Sequence, residues 1–315
     1  PNGSGPVIYD AAVGPTDLRS LTNRGQLRLE APGLTVGQLF TSGSLRLGSD
    51  LPLAGHSGEP SFRQSGGKLS GPADLILLAG AGRWSAGLWS GNGEVRLNPG
   101  SRFTIDGSTS QWGGRTLLVS AATPERPPAS LTINGTTTAR SGRNLIRNAG
   151  RTSLEGASLV RDGGSFILDN RGSLASSGSS RVDSDLINRA GAVQVRSGSL
   201  ELTGNGRDSQ GGYAVAEGAR LVWRGGTRHL LGGTTYTGSG VFQLDGARLQ
   251  APTLASLSFT APLLVDSGSL SGTGSFSATV GYGQSGGQLR GFSSVALQQP
   301  AGSLQIQGSG REQAS

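Results

Sequence analysis

The sequence of 315 residues contains no cysteine and no methionine, and its only lysine is Lys68. It also has only two histidines. Without cysteine, the fold can contain no disulfide and the chain can perform no thiol chemistry. Cysteine and histidine are the usual protein ligands of zinc, and acidic turns in tandem are typical of calcium sites; neither pattern is present. We therefore expect a protein that needs no metal and no organic cofactor.

Long apolar runs are also missing. No stretch approaches the roughly 18 residues that a membrane-spanning helix needs, so we expect no transmembrane segment. No signal peptide is visible, although a cleaved one would leave no trace. The hydrophobic fraction is 34%, below the roughly 45–50% that is usual in globular proteins. Such a chain can bury a thin, repeated core but not a thick globular one.

Charge is sparse, at 15% of residues, and the net charge is +7. Nearly all of the positive charge is arginine, which is scattered and forms no run of four or more. A scattered distribution predicts no specific nucleic-acid site. Polyanionic glycans and the cell surface remain candidate partners, because a positive surface attracts acidic polymers.

Glycine is abundant, with 55 residues, which is too frequent for helices of ordinary length. Apolar residues instead alternate with polar ones, as in Leu45/Leu47 and Val193/Val195. A period of two places alternate side chains on one face of a β-strand. Asn-Gly and Asp-Gly steps, such as Asn92-Gly93, end these stretches and suit tight corners. The pattern predicts an all-β protein without helical crossovers.

Short motifs recur along the chain and indicate a degenerate repeat. Ser-Gly-Ser-Leu occurs three times, and Asn precedes a glycine-containing turn at Asn23, Asn148, Asn170 and Asn188. The last three of these asparagines follow one another at nearly regular intervals. Their interval of roughly 18–23 residues is the length of one coil of a right-handed parallel β-helix, or β-solenoid. We predict that Asn148, Asn170 and Asn188 occupy equivalent corners of successive coils, where stacked amides can hydrogen-bond, and that Asn23 is a structural turn residue as well.

The density of proline marks one interruption. Residues 122–130 contain three of the fourteen prolines, and proline cannot donate a hydrogen bond into a β-ladder. We interpret this segment as a loop or joint. It separates an N-terminal solenoid segment, 1–121, from a C-terminal one, 131–307, and residues 308–315 are expected to form a frayed tail.

The segments 186–202 and 84–93 resemble the degenerate β-helix repeats of large bacterial secreted proteins. Such repeats occur in autotransporter-like passengers and in filamentous-haemagglutinin-like adhesins. The resemblance covers most of residues 20–310. It implies a bacterial protein at the cell surface or outside the cell, and it brings no catalytic residues.

Two residue pairs are candidates for chemistry. Asp183 and Asp185 flank Ser184, so their carboxylates share one strand face; they could act as acid and base on a glycoside or bind a cation, or simply be solvated. Trp84 and Trp89 could stack on sugar rings if exposed, or fill the core. These four residues are the speculative glycan contacts.

The sequence therefore predicts an extracellular structural or adhesive β-solenoid rather than an enzyme. It would serve as a stalk, an adhesin segment or a filament or sheath subunit, assembling through solenoid ends or edges. The alternative is a β-helix protein that binds or degrades polysaccharides.

Overall fold

The computed structural model describes residues 7–10, 16–55, 60–252, 256–297 and 305–306. The fold is a parallel β-solenoid of about 13 turns with 67% of residues in strands. No helix occurs within these described ranges. The prediction of an all-β parallel solenoid is confirmed.

The solenoid is built from short strands numbered in chain order. The first eighteen are β1 Val7–Tyr9, β2 Thr16–Asn23, β3 Gln26–Leu29, β4 Leu34–Thr41, β5 Ser44–Leu47, β6 Leu51–Leu53, β7 Pro60–Ser70, β8 Leu75–Leu77, β9 Ala81–Ser90, β10 Glu94–Leu97, β11 Arg102–Gly113, β12 Thr116–Val119, β13 Ser130–Ile133, β14 Thr136–Ser141, β15 Arg143–Asn148, β16 Arg151–Glu155, β17 Ser158–Arg161 and β18 Ser165–Asn170.

The remaining described strands continue the same pattern. They are β19 Ser173–Ser177, β20 Ser179–Val182, β21 Asp185–Arg189, β22 Ala192–Val195, β23 Ser199–Leu202, β24 Gly206–Ser209, β25 Gly212–Val215, β26 Arg220–Trp223, β27 Thr227–Leu230, β28 Thr235–Gly238, β29 Val241–Ala251, β30 Ser256–Thr260, β31 Leu263–Gly272, β32 Ser275–Ala278, β33 Tyr282–Gln284, β34 Gln288–Arg290, β35 Ser294–Leu297 and β36 Gln305–Ile306.

The alternation of residue types sets the two faces of each strand. In β5, Leu45 and Leu47 are buried while Ser44 and Arg46 are exposed. Buried side chains then stack in columns on equivalent residues of the next coil. One such column contains Leu51, Leu75, Val95, Leu117 and Ile146. The thin core is therefore built from columns of inward-facing side chains, one from each coil.

The length of a coil varies along the chain. Leu27 pairs with Leu45 of the next coil, and Leu45 pairs in turn with Leu69, so the second of these two coils is the longer. The turns between strands accommodate the additional residues, and many of these turns need glycine. Gly67 has φ +63°, and a Cβ there would lie 2.1 Å from the carbonyl oxygen of Gly43 in the coil before.

The proline-rich segment leaves the coil and returns to it. Residues 121–127 are exposed, and the backbone N–H of Ala129 donates to the carbonyl of Ser120 at 3.0 Å. Phe103 pairs with Leu131, so this coil is longer than the one before, in which Gly82 pairs with Phe103. The segment is a loop inserted at a corner; that it also joins two solenoid segments stays a prediction.

The chain divides into two compact units. Unit 1 comprises residues 1–153 and 157–167, and unit 2 comprises 154–156 and 168–315. The predicted tail, 308–315, lies outside the described residues. Over the described ranges, no helix is long and apolar enough to span a membrane.

Candidate functional site

Trp84 and Trp89 lie in the core of unit 1. Both are fully buried, and their rings stack with centroids 4.0 Å apart and planes 5° apart. The Trp89 indole N–H donates to the Gln64 side-chain oxygen at 2.7 Å, and that of Trp84 donates to the Ala86 carbonyl at 2.8 Å. Full burial leaves neither ring accessible to a sugar. The interpretation of these two residues as glycan contacts is therefore wrong, and the alternative that they fill the core holds.

Asp183 and Asp185 are half-buried in unit 2. The Asp183 carboxylate accepts a hydrogen bond from the Thr203 hydroxyl at 2.7 Å. Asp185 accepts one from the backbone N–H of Asn205 at 3.1 Å, and the Asn205 side chain in turn accepts from the Thr227 N–H at 3.0 Å. Both carboxylates thus join their coil to the next. At Asp185 and Asn205, the side-chain oxygens satisfy backbone N–H groups of the next coil.

Asn23 occupies a corner of unit 1. Its amide donates to the Thr41 hydroxyl at 3.2 Å and to the Ser44 carbonyl at 3.0 Å, and its oxygen accepts from the Gly25 N–H at 3.2 Å. The side chain is buried. The asparagine therefore stabilises its own turn and the corresponding turn one coil later.

Asn148, Asn170 and Asn188 are all fully buried. In unit 2, Asn170 donates to the Asn188 oxygen at 2.8 Å. Asn148 belongs to unit 1, where it pairs with Val119 of the preceding coil. The structure thus brings Asn170 and Asn188 together as stacked amides. Gly191 makes room for this pair, because a Cβ on it would lie 2.4 Å from the Asn170 amide nitrogen.

One coil after this asparagine ladder, unit 2 contains a buried charged network. Asp208 pairs in register with Asn188. The Arg228 guanidinium donates from Nη1 to the Asp208 carboxylate at 2.6 Å, and the Tyr213 hydroxyl donates to the same oxygen at 2.6 Å. Asp208 and Arg228 are 0% and 2% exposed. A buried pair of this kind persists only when both charges are compensated.

A glycine creates the space that Arg228 fills. In register, Leu186 is followed by Gly206, Arg228 and Leu249, so the arginine stands in an otherwise apolar column. A Cβ on Gly206 would lie 2.4 Å from the guanidinium carbon of Arg228. The missing side chain in one coil thus makes room for the guanidinium of the next.

Burial dominates the titration behaviour of this network. It raises the pKa of the Asp208 carboxyl above its ordinary value, and the Arg228 charge opposes that shift. Burial acts to lower the pKa of Arg228, but the Asp208 carboxylate outweighs it and the pKa is raised. Burial also raises the pKa of Tyr213 and that of Tyr236 well above the ordinary value. The arginine therefore stays protonated and the phenols stay neutral at physiological pH.

Unit 1 contains a second buried arginine. The guanidinium of Arg115, which is 0% exposed, donates to the carbonyls of Gly71, Ala73 and Glu94 at 3.0 to 3.2 Å. Burial lowers its pKa to about 10, partly offset by the nearby Asp74 carboxylate. One side chain thus connects three successive coils, and it is charged at neutral pH.

Sequence reasoning missed both buried arginines and Asp208. Once the register is known, Gly206 points to Arg228, because this glycine occupies a position that leucine fills in the coils with Leu186 and Leu249. Over the described residues, no group of three or more His, Cys, Asp and Glu side chains could hold a metal ion. His229 is exposed on β27, and His56 lies outside the described residues.

The fold and its polar ladders define the class of protein as a parallel β-solenoid whose buried polar groups serve coil-to-coil contacts. No family model, no curated protein and no solved structure matches the chain. The fold agrees with a β-helix repeat, and the autotransporter or haemagglutinin type stays a prediction.

Proposed function

We propose that this chain is an extracellular structural or adhesive β-solenoid that assembles through unpaired strand edges. The observation that carries the proposal is the apolar exposure of β1 and β35. In unit 1, Val7 and Ile8 of β1 are 61% and 52% exposed; in unit 2, Val295 of β35 is 47% exposed.

These strands have one neighbour each among the described strands. β1 pairs with β3, and β35 pairs with β32. An edge strand with exposed apolar side chains is a template for another chain. Solenoids that stay monomeric end in polar capping repeats, whereas Val295 extends the core column of Leu257 and Phe276. A coil of a second copy or of a neighbouring repeat fits this edge.

The buried polar network supports a structural role over a catalytic one. The pKa values of Asp208, Arg228 and Arg115 are shifted from their ordinary values, and burial makes all three side chains inaccessible to a substrate. Asp183 and Asp185, the residues proposed for an acid–base role, each accept a hydrogen bond from the next coil. We therefore favour a structural protein over a polysaccharide-degrading one.

Sedimentation velocity and negative-stain microscopy test assembly. The purified chain should form concentration-dependent oligomers, and Val295→Lys or Ile8→Lys should abolish them by placing a charge in the contact. Ser256→Lys, on an exposed position of β30, is the matched control and should assemble normally. Particles that stay monomeric at all concentrations, or equal loss in the control, would refute assembly.

Two further assays address location and activity. Protease added to intact producing cells should digest the protein if it lies outside the cell, and failure to do so would refute that location. Incubation with polysaccharides should release no reducing ends. Cleavage that disappears in Asp183→Asn would favour the enzyme instead.

A further inference from the structure

A shallow groove on the outer surface of unit 1 combines charge, hydroxyls and an aromatic ring. It has a volume of about 210 Å³, and its lining includes Thr22, Arg24, Phe40, Ser42, Arg63 and Ser65. No carboxylate of the described residues lines it. The volume lies below the roughly 300 Å³ of the smallest drug-sized pockets, so it suits one small ring or group at a time.

The position of Phe40 is exceptional in this chain. Of the eight phenylalanines, the other seven are buried in the core, whereas Phe40 is half-buried. It faces outward between Thr22 of the preceding coil and Arg63 of the following one. Outward positions elsewhere are mostly polar, so a partly exposed ring in a polar groove points to a ligand with an apolar face.

Two arginines flank the ring. Arg24 and Arg63 are exposed, and neither forms an ion pair within the described part of the chain, unlike Arg83 one coil later, which pairs with Asp106 at 2.6 Å. A guanidinium that is free of a protein carboxylate can bind a ligand carboxylate through two parallel hydrogen bonds. The groove therefore has an uncompensated positive charge beside an aromatic surface.

We infer that this groove binds an acidic sugar, a uronic-acid unit of an anionic polysaccharide. Its carboxylate would accept hydrogen bonds from Arg24 and Arg63. The C–H face of the sugar ring would lie on Phe40, and its hydroxyls would exchange hydrogen bonds with Thr22, Ser42 and Ser65. The inference does not depend on the proposed assembly, because the groove lies within unit 1 and involves neither β1 nor β35.

Isothermal titration calorimetry with an oligogalacturonate tests the inference. The oligosaccharide should bind the folded protein, with affinity falling as salt is raised. Arg24→Gln/Arg63→Gln should weaken binding at least about tenfold, because hydrogen bonds to charged groups are lost. Phe40→Ala should weaken it about fivefold through loss of ring contact. A neutral oligosaccharide of the same length should bind much more weakly.

The matched control removes the same charge elsewhere in unit 1. Arg102→Gln/Arg143→Gln changes two exposed arginines outside the groove and should bind as the unmodified protein does. Equal weakening in this control would show that binding follows net charge, and the site would be rejected. Absence of binding, or equal affinity for the neutral sugar or for inorganic sulfate, would also overturn the inference. Sedimentation of the groove variants should remain unchanged, which separates this result from the test of assembly.

Discussion

Removing Asp208 should destabilise unit 2 strongly. Asp208→Ala leaves the Arg228 guanidinium charged and buried, with the Leu186 carbonyl at 3.4 Å and the Tyr213 hydroxyl at 3.2 Å as its remaining partners. The Tyr213 hydroxyl also loses its acceptor at 2.6 Å. Breaking a buried ion pair by removing one partner costs about 3–5 kcal/mol, which is the loss in unfolding free energy that we expect.

The double replacement should recover most of this loss. In Asp208→Leu/Arg228→Leu, both charges are gone and leucine at 228 continues the column of Leu186 and Leu249. Replacing a buried pair by apolar residues is often neutral or stabilising, so the double variant should lie within about 2 kcal/mol of the original protein. With Asp208→Leu and Arg228→Leu as the single variants, the two sites should therefore show a coupling free energy of at least about 2 kcal/mol.

Native-state hydrogen exchange at the amides of β24 to β27 is the appropriate measurement, because solenoids open regionally. Arg228→Leu tests the sign of the pH dependence. In this variant, burial raises the pKa of Asp208, so the free energy of unfolding should be greater at low pH, where the carboxyl is protonated. It should fall as pH rises through the pKa of the folded protein. If the opening free energy of Asp208→Ala lay within about 1 kcal/mol of that of the original protein, the network would contribute little to stability and the expected loss would be refuted.

Three further outcomes follow from the same contacts. Tyr213 and Tyr236 have raised pKa values in the folded protein, so the free energy of unfolding should be unaffected by their titration below the unfolded-state pKa of about 10 and should fall as pH rises above it. Tyrosinate absorbance should therefore appear in step with the loss of circular dichroism. Ionisation of all four tyrosines before that loss would contradict the expectation. Gly67→Ala should lower the free energy of unfolding by several kcal/mol more than Gly156→Ala does. Both glycines have positive φ, but of the two only Gly67 faces a carbonyl within 4 Å. Equal melting temperatures of the two variants would disprove the steric cause. Asn188→Ala should cost about 1–2 kcal/mol, measured by urea unfolding, through loss of its bond with Asn170; an unchanged midpoint would show that the ladder is dispensable.

Strand positions were predictable because alternation is a local property. The alternation at Leu45/Leu47 and at Val193/Val195 predicts which side chains are buried, and the structure agrees. Repeat spacing likewise indicated coils, since consecutive strands must stack. These inferences need only a few neighbouring residues.

The positions of tryptophan were not predictable from alternation. Trp84 and Trp89 are separated by an odd number of positions, so one straight strand would place them on opposite faces. The chain turns at Gly87, which has φ +104°, and both rings face inward. A corner within a strand resets the alternation, and its position depends on the neighbouring coils.

The buried arginines could not be assigned from sequence for a similar reason. The step from Gly206 to Arg228 and the step from Arg228 to Leu249 are unequal in length, and other coils of the chain differ more widely. When the coil length varies, the column to which a residue belongs cannot be found by counting residues along the sequence. Charge in an apolar column is recognisable only once the register is known.

The inserted loop at residues 120–129 has a consequence for engineering. Its two ends meet at the Ser120–Ala129 hydrogen bond, and the columns on either side keep their register through it. A foreign peptide placed between Pro124 and Glu125 would extend only an exposed tip, because the backbone pair of Thr123 and Arg126 and the hydrogen bond from Arg126 to the Leu78 carbonyl lie below it. The protein already contains, at this corner, a natural acceptor position for displayed epitopes or binding peptides.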